Sequence, residues 1–177
     1  MNAPAEVLER ARPIQLLCLD VDGILTDGRL YFLSNGLEAK AFHIRDGLGL
    51  KMLMNAGIKT AVITGRKSEA AQARAMELGM NYFHQGVQDK LKVVQELRTE
   101  MAIDMAAVAF MGDDLPDVCA LRACGFAVTV PEAPEAVRAY AHYVTRERGG
   151  HGAVREVCEL ILEAKELLQP ELDRYFA

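Results

Sequence analysis

The sequence lacks the features that would place the chain in a membrane, on nucleic acid or in a disulfide-rich scaffold. No apolar run approaches the roughly 20 residues of a membrane-spanning helix, and the formal net charge of −5 offers no basic excess for a phosphate backbone. The cysteines form no CxxC pair, which favours reduced core thiols over zinc ligands or disulfide bonds. The opening MNAPAEVLERARP is too charged for the apolar region of a signal peptide. We therefore expect a soluble, cytoplasmic protein with no nucleic acid partner and no membrane partner.

What the sequence does contain is typical of one globular domain. Its 177 residues are enough to bury a substantial core, but too few for two domains of ordinary size. Hydrophobic residues make up 51% and charged residues 25%, without the low hydrophobicity and high net charge of disordered chains. There is no internal repeat and no low-complexity linker. We therefore predict a single domain over residues 1–177.

Short apolar runs alternate with helical patterns from Ile14 onward. This alternation predicts an α/β fold with a single doubly wound, Rossmann-like parallel sheet and helices on both faces. The predicted strands are IQLLCLD, IKTAVIT, MNYFHQ, AAVAFMG, CGFAVTV and AHYVT. The predicted helices are 47–55, 68–78, 90–101, 114–122 and 153–168. Ser68 is a predicted helix N-cap, and Gly57 and Gly79 stand where helices end.

One segment, residues 29–43, departs from this alternation. Its extended runs RLYFL and LEAKAFH flank Ser-Asn-Gly, which predicts a β-hairpin rather than a helix. Because the hairpin follows the first strand closely, we expect it to project from the carboxyl end of the sheet. Near the other end of the chain, a glycine-rich loop at 149–152 precedes a C-terminal helix and tail that cover residues 153–177.

The first predicted strand leads into Asp20-Val21-Asp22-Gly23. Open α/β sheets bind ligands at the carboxyl ends of their strands, and two carboxylates two residues apart on an extended chain can reach one site. An isolated DxD pair is also compatible with two solvated acids at a strand end. The preceding apolar strand and the following glycine favour a functional site, because they give the acids a rigid base and the chain a sharp turn.

A second acidic cluster, Gly112-Asp113-Asp114, follows the apolar run AAVAF. If both strands lie in one sheet, their acids meet at the same edge, where carboxylate oxygens suit Mg²⁺. Asp114 is equally suited to cap the next helix, and the two roles are compatible. The sequence therefore indicates a magnesium site without settling which carboxylates bind the metal.

Groups that suit a phosphate follow elsewhere. Thr64-Gly65-Arg66 ends the second long strand and offers a hydroxyl and flexible amides beside a helix N-terminus, which is an arrangement that binds phosphate. On its own the tripeptide is equally typical of a turn and cap. Lys90 stands at a predicted helix start, where it is either a solvated lysine or a cation that neutralises a transferring phosphoryl group.

Four segments, DVDGILTDG, ITGRKS, the lysine at position 90 and MGDDLPD, occur in this order. Together they resemble the four motifs of the haloacid dehalogenase-like phosphatases. The resemblance implies that Asp20 is a nucleophile that forms an aspartyl-phosphate and that Asp22 is the general acid and base. It assigns the phosphoryl oxygens to Thr64 and Lys90. It also implies a Mg²⁺ cofactor whose metal ligands are Asp20, Asp22 through its backbone carbonyl, and Asp113, with Asp114 supporting the metal shell.

The gaps between these motifs leave no room for a large cap domain, so the resemblance is to the capless branch of the family. In capless members similar to this chain, a hairpin or tail of one subunit covers the site of its neighbour. The apolar residues of the predicted hairpin suit such an interface; they are Leu30, Tyr31, Phe32 and Phe42. We therefore expect a homotetramer. The alternative is a hairpin that folds onto its own domain.

From Leu16 onward the chain is further similar to the family branch that acts on 3-deoxy-D-manno-octulosonate 8-phosphate in lipopolysaccharide biosynthesis. The similar segments are KAFHIRDGLGLKML, ITGRKS, QGVQDKL, GDDLPD and GGHGAVREVCELIL. The resemblance implies a small phosphorylated sugar acid as substrate, and a 149–152 loop that closes over a neighbouring site. Arginines suit this substrate, because a guanidinium grips a carboxylate or a phosphate with two hydrogen bonds. The substrate-binding residues that it implies are Asp22, His43, Ile44, Arg45, Asp46, Gly47, Arg66, Arg74 and Lys90.

Four other functions fit the sequence less well. Related enzymes act on nine-carbon sugar acid phosphates, and Lys51 stands where close relatives often carry an arginine, so a nine-carbon substrate is the alternative. A phosphomutase must shield its aspartyl-phosphate from water, which favours a large cap that is lacking here. A non-catalytic binding module is expected to have changed its nucleophile or its acid, whereas both Asp20 and Asp22 are present. A dinucleotide-binding fold is disfavoured because DVDG stands where GxGxxG is required.

Overall fold

All six predicted strands form one parallel sheet in the computed structural model, which describes residues 3–176. Two further short strands pair antiparallel as a hairpin. In chain order the strands are β1 (Leu16–Leu19), β2 (Tyr31–Phe32), β3 (Glu38–Ala39), β4 (Lys59–Thr64), β5 (Tyr82–Gln85), β6 (Val108–Met111), β7 (Phe126–Thr129) and β8 (Tyr143–Val144). The prediction of a parallel α/β sheet with a hairpin insertion is confirmed.

Helices connect the strands and cover the sheet. In chain order they are α1 (Ala5–Ala11), α2 (Ile44–Asn55), α3 (Glu69–Leu78), α4 (Lys90–Glu100), α5 (Val118–Ala123), α6 (Glu135–Arg138), α7 (Ala153–Ala164) and α8 (Leu168–Asp173). Short 3₁₀ turns occupy Met105–Ala107 and Leu115–Asp117. Helix α7 packs against α1 and α2, and α4 packs against α5. No helix among residues 3–176 is both long and apolar enough to cross a bilayer.

The order of strands in the sheet is β5-β4-β1-β6-β7-β8, and β1 lies at its centre. From β1 the chain builds outward through β4 and β5, and then returns to place β6 on the other side of β1. Such a switch of direction leaves a crevice at the carboxyl ends of the two neighbouring strands, which is where open α/β sheets bind ligands. The register aligns Leu19 at the end of β1 with Val62 in β4 and with Met111 at the end of β6.

The core is apolar on both sides of the central strands. All four residues of β1, β6 and β7 are buried, as expected of parallel strands that are covered by helices on both faces. Phe110 and Phe126 are the largest fully buried side chains in it. This tightly packed base fixes the positions of the loops that leave the carboxyl ends of the strands.

The helix boundaries differ in places from those expected from the sequence. Helix α2 begins at Ile44 instead of Gly47, and the 114–122 segment begins as a 3₁₀ turn. The 153–168 segment divides into α7 and α8. Helices α1 and α6 were not predicted, because a seven-residue and a four-residue helix carry too little periodicity. Residues 1, 2 and 177, which the predicted domain includes, lie outside the described residues.

Two predicted helix boundaries are confirmed in α3. The Ser68 hydroxyl oxygen accepts a hydrogen bond from the backbone N–H of Ala71 at 3.4 Å, and Gly79 ends the helix with a φ of 75°. Gly57 has a φ of 86° and follows Ala56, the C-cap of α2. These caps end α2 and α3 within one residue of the predicted positions.

Candidate active site

Three predicted site residues emerge at one edge of the sheet because their strands are parallel neighbours. Asp20 directly follows β1, Thr64 is the last residue of β4, and Asp113 follows β6 after one glycine. The backbone N–H of Asp20 continues the ladder by donating to the Met111 carbonyl oxygen at 3.0 Å. The two strands thus deliver the acids of DVDG and GDD to the same crevice.

Lys90 joins this cluster from the first turn of α4. Its Nζ lies 2.9 Å from Asp20 Oδ2 and 2.6 Å from Asp117 Oδ1, and the residue is only 4% exposed. The preceding Asp89 caps α4 by accepting from the backbone N–H of Lys92 at 3.1 Å, which fixes the helix start. A buried ammonium between two carboxylates is held firmly, because removal of either acid would leave charge unpaired.

Asp117 is a site residue that the sequence analysis missed. It is fully buried, and while its Oδ1 holds Lys90, its Oδ2 accepts from the backbone N–H groups of Asp113 and Asp114 at 3.0 and 3.2 Å. A Cβ at Gly112 would approach the Asp117 carboxyl to 2.4 Å, so only glycine fits there. In the sequence Asp117 is the last residue of GDDLPD, a position typical of an ordinary helix residue. Only the 3₁₀ turn brings its carboxyl beneath the loop of residues 112–114.

The clustered acids hold their protons more tightly than usual. Burial raises the pKa of Asp20 to about 6, with a further contribution from Asp117 that Lys90 opposes. Burial also raises the pKa of Asp113 to about 7, assisted by the charges of Asp20 and Asp117. For Lys90, burial alone would lower the pKa, but the two carboxylates outweigh it and the pKa is raised. The site is therefore rich in negative charge that a cation would stabilise.

The acids offer a place for a metal ion. Carboxylate oxygens of Asp20, Asp113 and Asp117 lie within 4.8 Å of one another, the one such group among the described residues. The buried Oδ1 of Asp20 has no hydrogen-bond partner, and both oxygens of Asp117 are engaged. We therefore regard Asp20 and Asp113 as the side chains that fit a hard divalent cation. The carboxyl groups of Asp22 and Asp114 are not part of this cluster.

Asp114 and Asp22 have other contacts. Asp114 is exposed, and its Oδ1 accepts from the backbone N–H of Leu115 at 2.8 Å, so it caps the 3₁₀ turn. Asp22 turns its carboxyl towards two cations: Lys40 Nζ contacts Oδ1, and Arg66 Nε lies 3.4 Å from Oδ2. The two aspartates of DVDG thus have different surroundings. Asp20 faces the acid cluster, whereas Asp22 faces Lys40 and Arg66.

The site opens to solvent through a cavity of about 300 Å³, large enough for a phosphorylated small molecule. Acidic, basic and glycine residues share its walls, which is unlike the apolar lining of most small-molecule sites. The lining residues are Asp20, Asp22, Gly28, Thr64, Gly65, Arg66, Lys90, Asp113, Asp114, Pro116 and Asp117. Thr64 is buried and its Oγ1 accepts from the backbone N–H of Arg66 at 3.4 Å.

The residues expected to bind substrate do not all face this cavity. Arg66 lines it, whereas Arg45 lines a separate cavity of about 600 Å³ together with Arg155. Ile44 is 80% exposed, and His43, at the N-cap of α2, buries an Nδ1 without a hydrogen-bond partner. The segment that begins α2 therefore lies apart from the cavity that Asp20 and Lys90 line in the same chain.

Asp46 and Gly47 lie within the fold, and Arg74 beside them is partly buried. Asp46 is buried, and its Oδ1 accepts from the backbone N–H of Arg155 in the first turn of α7 at 2.8 Å. Burial raises the pKa of Asp46, and the backbone hydrogen bond opposes the rise. Gly47 leaves the space in which the Arg74 guanidinium packs, because a Cβ there would lie 2.4 Å from it. Arg74 also pairs with Glu77 at 2.8 Å.

The glycine-rich loop packs against the turn that follows β1 in the same chain. A Cβ at Gly149 would lie 1.7 Å from the carbonyl oxygen of Gly23, and the Gly150 N–H donates to the Ile24 carbonyl oxygen at 2.9 Å. Gly23 has a φ of 84° and itself leaves room for the Asp113 carboxyl. The loop thus contacts the DVDG turn of its own chain, and its closure over a neighbouring site stays a prediction.

The arrangement resembles known proteins. Residues 83–157 match the family model described as haloacid dehalogenase-like hydrolase. The chain is 43% identical to 3-deoxy-D-manno-octulosonate 8-phosphate phosphatase of Yersinia pestis over 93% of this chain and 88% of the relative. The identity to the enzyme of the same name from Escherichia coli strain K12 is 44%, over 91% of this chain and 86% of the relative.

A solved structure is similar over nearly the full length. It is that of 3-deoxy-D-manno-octulosonate 8-phosphate phosphatase from Moraxella catarrhalis in complex with magnesium ion, phosphate ion and KDO molecule. The TM-score is 0.95 and the identity 44%, with 98% of this chain and 99% of that chain covered. The similarity therefore extends over nearly the whole of both chains.

Proposed function

The chain belongs to the 3-deoxy-D-manno-octulosonate 8-phosphate phosphatases within the haloacid dehalogenase-like hydrolases, and from this we infer that it is a Mg²⁺-dependent phosphatase of that sugar acid phosphate. The inference places it in lipopolysaccharide biosynthesis. The single observation that carries the chemistry is the cluster in which Lys90 Nζ lies 2.9 Å from Asp20, beside the carboxyl of Asp113. The identity to the curated relatives supports the substrate.

Asp20 is the proposed nucleophile. One of its oxygens attacks the phosphorus atom, the bond from phosphorus to the sugar oxygen breaks, and an aspartyl-phosphate forms. With a pKa of about 6 the carboxyl is mostly ionised at pH 7, as a nucleophile must be. Position favours the attack as well, because β1 and the Met111 hydrogen bond hold the backbone of Asp20 rigidly.

Asp22 is the proposed acid and base. In the first step its proton passes to the oxygen of the leaving sugar, and in the second its carboxylate takes a proton from the water that attacks the aspartyl-phosphate. The side chain lines the same cavity as Asp20. Since the two carboxyls are only two residues apart on an extended segment, they can act on opposite sides of one phosphoryl group.

Thr64 and Lys90 bind the phosphoryl oxygens in this proposal. Thr64 and Lys90 both line the cavity, and Lys90 brings a fixed positive charge to the oxygens on which negative charge is spread. Asp20 and Asp113 would hold Mg²⁺ together with the backbone carbonyl of Asp22. Asp114 would support the metal shell. Mg²⁺, when bound, supplies further neutralisation of phosphoryl charge.

We propose that a neighbouring subunit completes the sugar acid site. Arg66 supplies one guanidinium from within the cavity. Residues at the start of α2 and in α3 are not among those lining it; they are His43, Ile44, Arg45, Asp46, Gly47 and Arg74. Of these, we propose that the exposed Ile44 and the basic Arg45 and Arg74 face the substrate bound by another chain. Asp46 and Gly47 would hold that segment in shape.

The hairpin supports assembly into the proposed homotetramer. It leaves five apolar side chains exposed on this chain, with Phe32 69% exposed; they are Leu30, Tyr31, Phe32, Leu33 and Leu37. Its base contacts its own domain, where Phe42 packs against the core and Lys40 pairs with Asp22, whereas the tip residues remain exposed. An apolar strip of this kind is costly to leave in water and is typical of a protein interface.

The assembly is tested by multi-angle light scattering on wild type, Phe32→Asp and a control, Tyr140→Asp. Tyr140 is 44% exposed after α6 and belongs to none of the segments proposed to form the interface. We expect the wild type and the control to have the mass of a tetramer, and Phe32→Asp to have a smaller mass. A wild type that is monomeric at micromolar concentration would refute this part of the proposal.

We further propose that the enzyme is soluble and works in the cytoplasm. The four cysteines are free thiols, and three of them are buried. Burial raises the pKa of Cys124 to about 12 and that of Cys18 still further, so these thiols stay protonated and unreactive. Reduced core thiols are typical of a reducing compartment.

The function is tested by phosphate release from a panel of sugar acid phosphates and ordinary sugar phosphates. Wild type is assayed with Mg²⁺ and with EDTA, beside Asp20→Asn and the control Asp104→Asn, whose side chain is exposed and makes no cap hydrogen bond. We expect Mg²⁺-dependent turnover that is fastest on the eight-carbon sugar acid phosphate and lost in Asp20→Asn alone. Faster turnover of a nine-carbon substrate would refute the substrate, and full activity of Asp20→Asn would refute the mechanism.

A further inference from the structure

Lys40, a residue of the hairpin, has its charged side chain completely buried beside the proposed acid and base. It follows β3 directly, its side chain is 0% exposed, and its Nζ contacts Asp22 Oδ1 and lies 3.2 Å from Glu38 Oε1. Lysine ammonium groups are almost never fully buried unless they are paired, because burial removes their hydration. The position of this ammonium is therefore set by the two carboxylates.

Arg66 binds the same two carboxylates from the other side. Its Nε lies 3.4 Å from Asp22 Oδ2, and its terminal nitrogen contacts Glu38 Oε2. The result is a closed ring of four contacts in which two carboxylates, Asp22 and Glu38, alternate with two cations, Lys40 and Arg66. Each oxygen of Asp22 faces one cation, so the ring fixes the rotation of the carboxyl group.

The two cations of the ring differ in their access to substrate. The Arg66 side chain is 46% exposed and lines the phosphate cavity. Lys40 is fully buried and is not among the residues that line that cavity. Arg66 is therefore able to turn from Asp22 to an arriving anion, whereas Lys40 remains with Asp22 throughout.

We propose that Lys40 is a positioning residue that holds Asp22 for proton transfer and stabilises the charge that Asp22 acquires on giving its proton to the leaving oxygen. The inference rests on the proposed function, in which Asp22 is the general acid. In the phosphorylation step the proton moves from Asp22 to the departing oxygen as the phosphorus–oxygen bond breaks, and Asp22 becomes a carboxylate. An ammonium already in contact with that carboxylate favours the step without any rearrangement.

If Lys40 acts through Asp22, the effect of losing Lys40 on the rate should depend on the leaving group of the substrate. A leaving group that departs readily as an anion needs no proton, whereas a poor leaving group needs a full one. Loss of Lys40 should therefore slow the hydrolysis of phenyl phosphate much more than that of 2,4-dinitrophenyl phosphate. The ratio kcat/KM is the measure to use, because it covers the steps up to enzyme phosphorylation and excludes the later hydrolysis of the aspartyl-phosphate.

The experiment is a plot of log kcat/KM against leaving-group pKa for a series of aryl phosphates, with wild type, Lys40→Met, Lys40→Arg and Lys59→Met. Lys59 is an exposed lysine at the amino end of β4, far from the site edge. For Lys40→Met we expect a loss of about 100-fold on phenyl phosphate and less than about threefold on the dinitrophenyl compound, as general acid catalysis contributes roughly 10²- to 10⁴-fold. Lys59→Met should match the wild type.

The aryl series separates this role from others. A fold defect or a loss of active enzyme would lower every rate equally, and parallel lines would refute the proposal. A direct contact of Lys40 with the sugar acid would leave the aryl slope unchanged, which would refute it as well. Lys40→Arg keeps the cation, and its slope should lie closer to that of wild type than to that of Lys40→Met. If the methionine variant fails to fold, Lys40→Gln, which removes the charge but stays polar, replaces it in the plot with the same expected slope.

The outcomes also separate this inference from the function on which it rests. A wild type that hydrolyses aryl phosphates but not the sugar acid phosphate would refute the substrate, while the slope would still decide the role of Lys40. A wild type that hydrolyses no phosphate ester would refute the phosphatase and this role together. A steeper slope in Lys40→Met, with a wild-type slope in Lys59→Met, would support it.

Discussion

Replacement of Asp117 by asparagine should destabilise the protein strongly although it alters almost no volume. The Asp117 carboxylate accepts from Lys90 at 2.6 Å through one oxygen and from two backbone N–H groups at 3.0 and 3.2 Å through the other. Asparagine has one oxygen and one NH₂ group. If the oxygen serves the backbone amides, the NH₂ group faces the Lys90 ammonium; if it serves Lys90, the two amides lose their acceptor.

In either orientation at least one buried donor is left unpaired. An unpaired buried polar group costs about 1–3 kcal/mol, and breaking a buried ion pair from one side costs about 3–5 kcal/mol. Because Lys90 keeps its contact with Asp20, we expect the lower part of that range, a loss of about 3 kcal/mol in the free energy of unfolding. The activity should fall as well, since Lys90 and the backbone of Asp113 lose their shared anchor.

The assay is urea unfolding at pH 7 in EDTA, with Asp114→Asn as the matched control. Asp114 lies in the same motif but is exposed, and it caps the 3₁₀ turn through a hydrogen bond that asparagine makes equally well. We expect the control to lose less than about 0.5 kcal/mol. A loss of under about 1 kcal/mol in Asp117→Asn would refute the reasoning, because it would mean that the ammonium and both amides find other partners.

Four further outcomes follow from the geometry. Burial raises the pKa of Asp20 to about 6 and that of Asp113 to about 7. Between about pH 4 and 7 the metal-free folded protein therefore holds protons that the unfolded chain has released. The free energy of unfolding should fall as the pH rises through this range. Mg²⁺ competes with those protons, so titration calorimetry should show weaker Mg²⁺ binding as pH falls from 7 to 6, and a pH-independent affinity would contradict this. Gly149→Ala places a Cβ 1.7 Å from the carbonyl oxygen of Gly23 in the DVDG turn and should lower kcat by more than about tenfold. The control Gly36→Ala adds a Cβ in open space at a φ of 82°, and should cost only about 1 kcal/mol of stability with unchanged kcat. Equal kcat values in both variants would show that the DVDG turn shifts freely. Asp46→Asn should lower the free energy of unfolding by about 1 kcal/mol and leave KM unchanged, since its carboxyl faces the start of α7; a raised KM would indicate a direct contact with substrate.

Much of the site was predictable because parallel strands carry sequence order into space. Asp20, Thr64 and Asp113 each stand at the end of an apolar run, and adjacent parallel strands must bring such residues to one edge. Lys90 was recognisable by its position at a helix start and by the resemblance to a known set of motifs. Its pairing with Asp20 depends on the turn between β5 and α4, which no local pattern specifies.

The remainder depends on contacts between distant segments. In the sequence Asp117 is typical of an ordinary acid in a helix. Only the 3₁₀ turn at Pro116 places its carboxyl beneath the loop of residues 112–114. Asp46 belongs to a segment that resembles a substrate-binding motif, but its oxygen meets a backbone amide of α7 that is distant in sequence. Lys40 lies in a hairpin of alternating polar and apolar residues, where a lysine is expected to point to solvent. In each case a tertiary partner decides the role.

The central position of β1 has a consequence for the synthesis of the chain. The apolar run Leu16–Leu19 leaves the ribosome first among the strands, yet both of its neighbours are made later, and β6 follows only after more than half of the chain. Until then β1 has at least one free edge, which is a template for wrong pairing with other chains. Folding must therefore wait for β6, as it does in other folds dominated by non-local contacts. Nascent chains truncated before β6 should aggregate or recruit chaperones, because one edge of their central apolar strand stays unpaired.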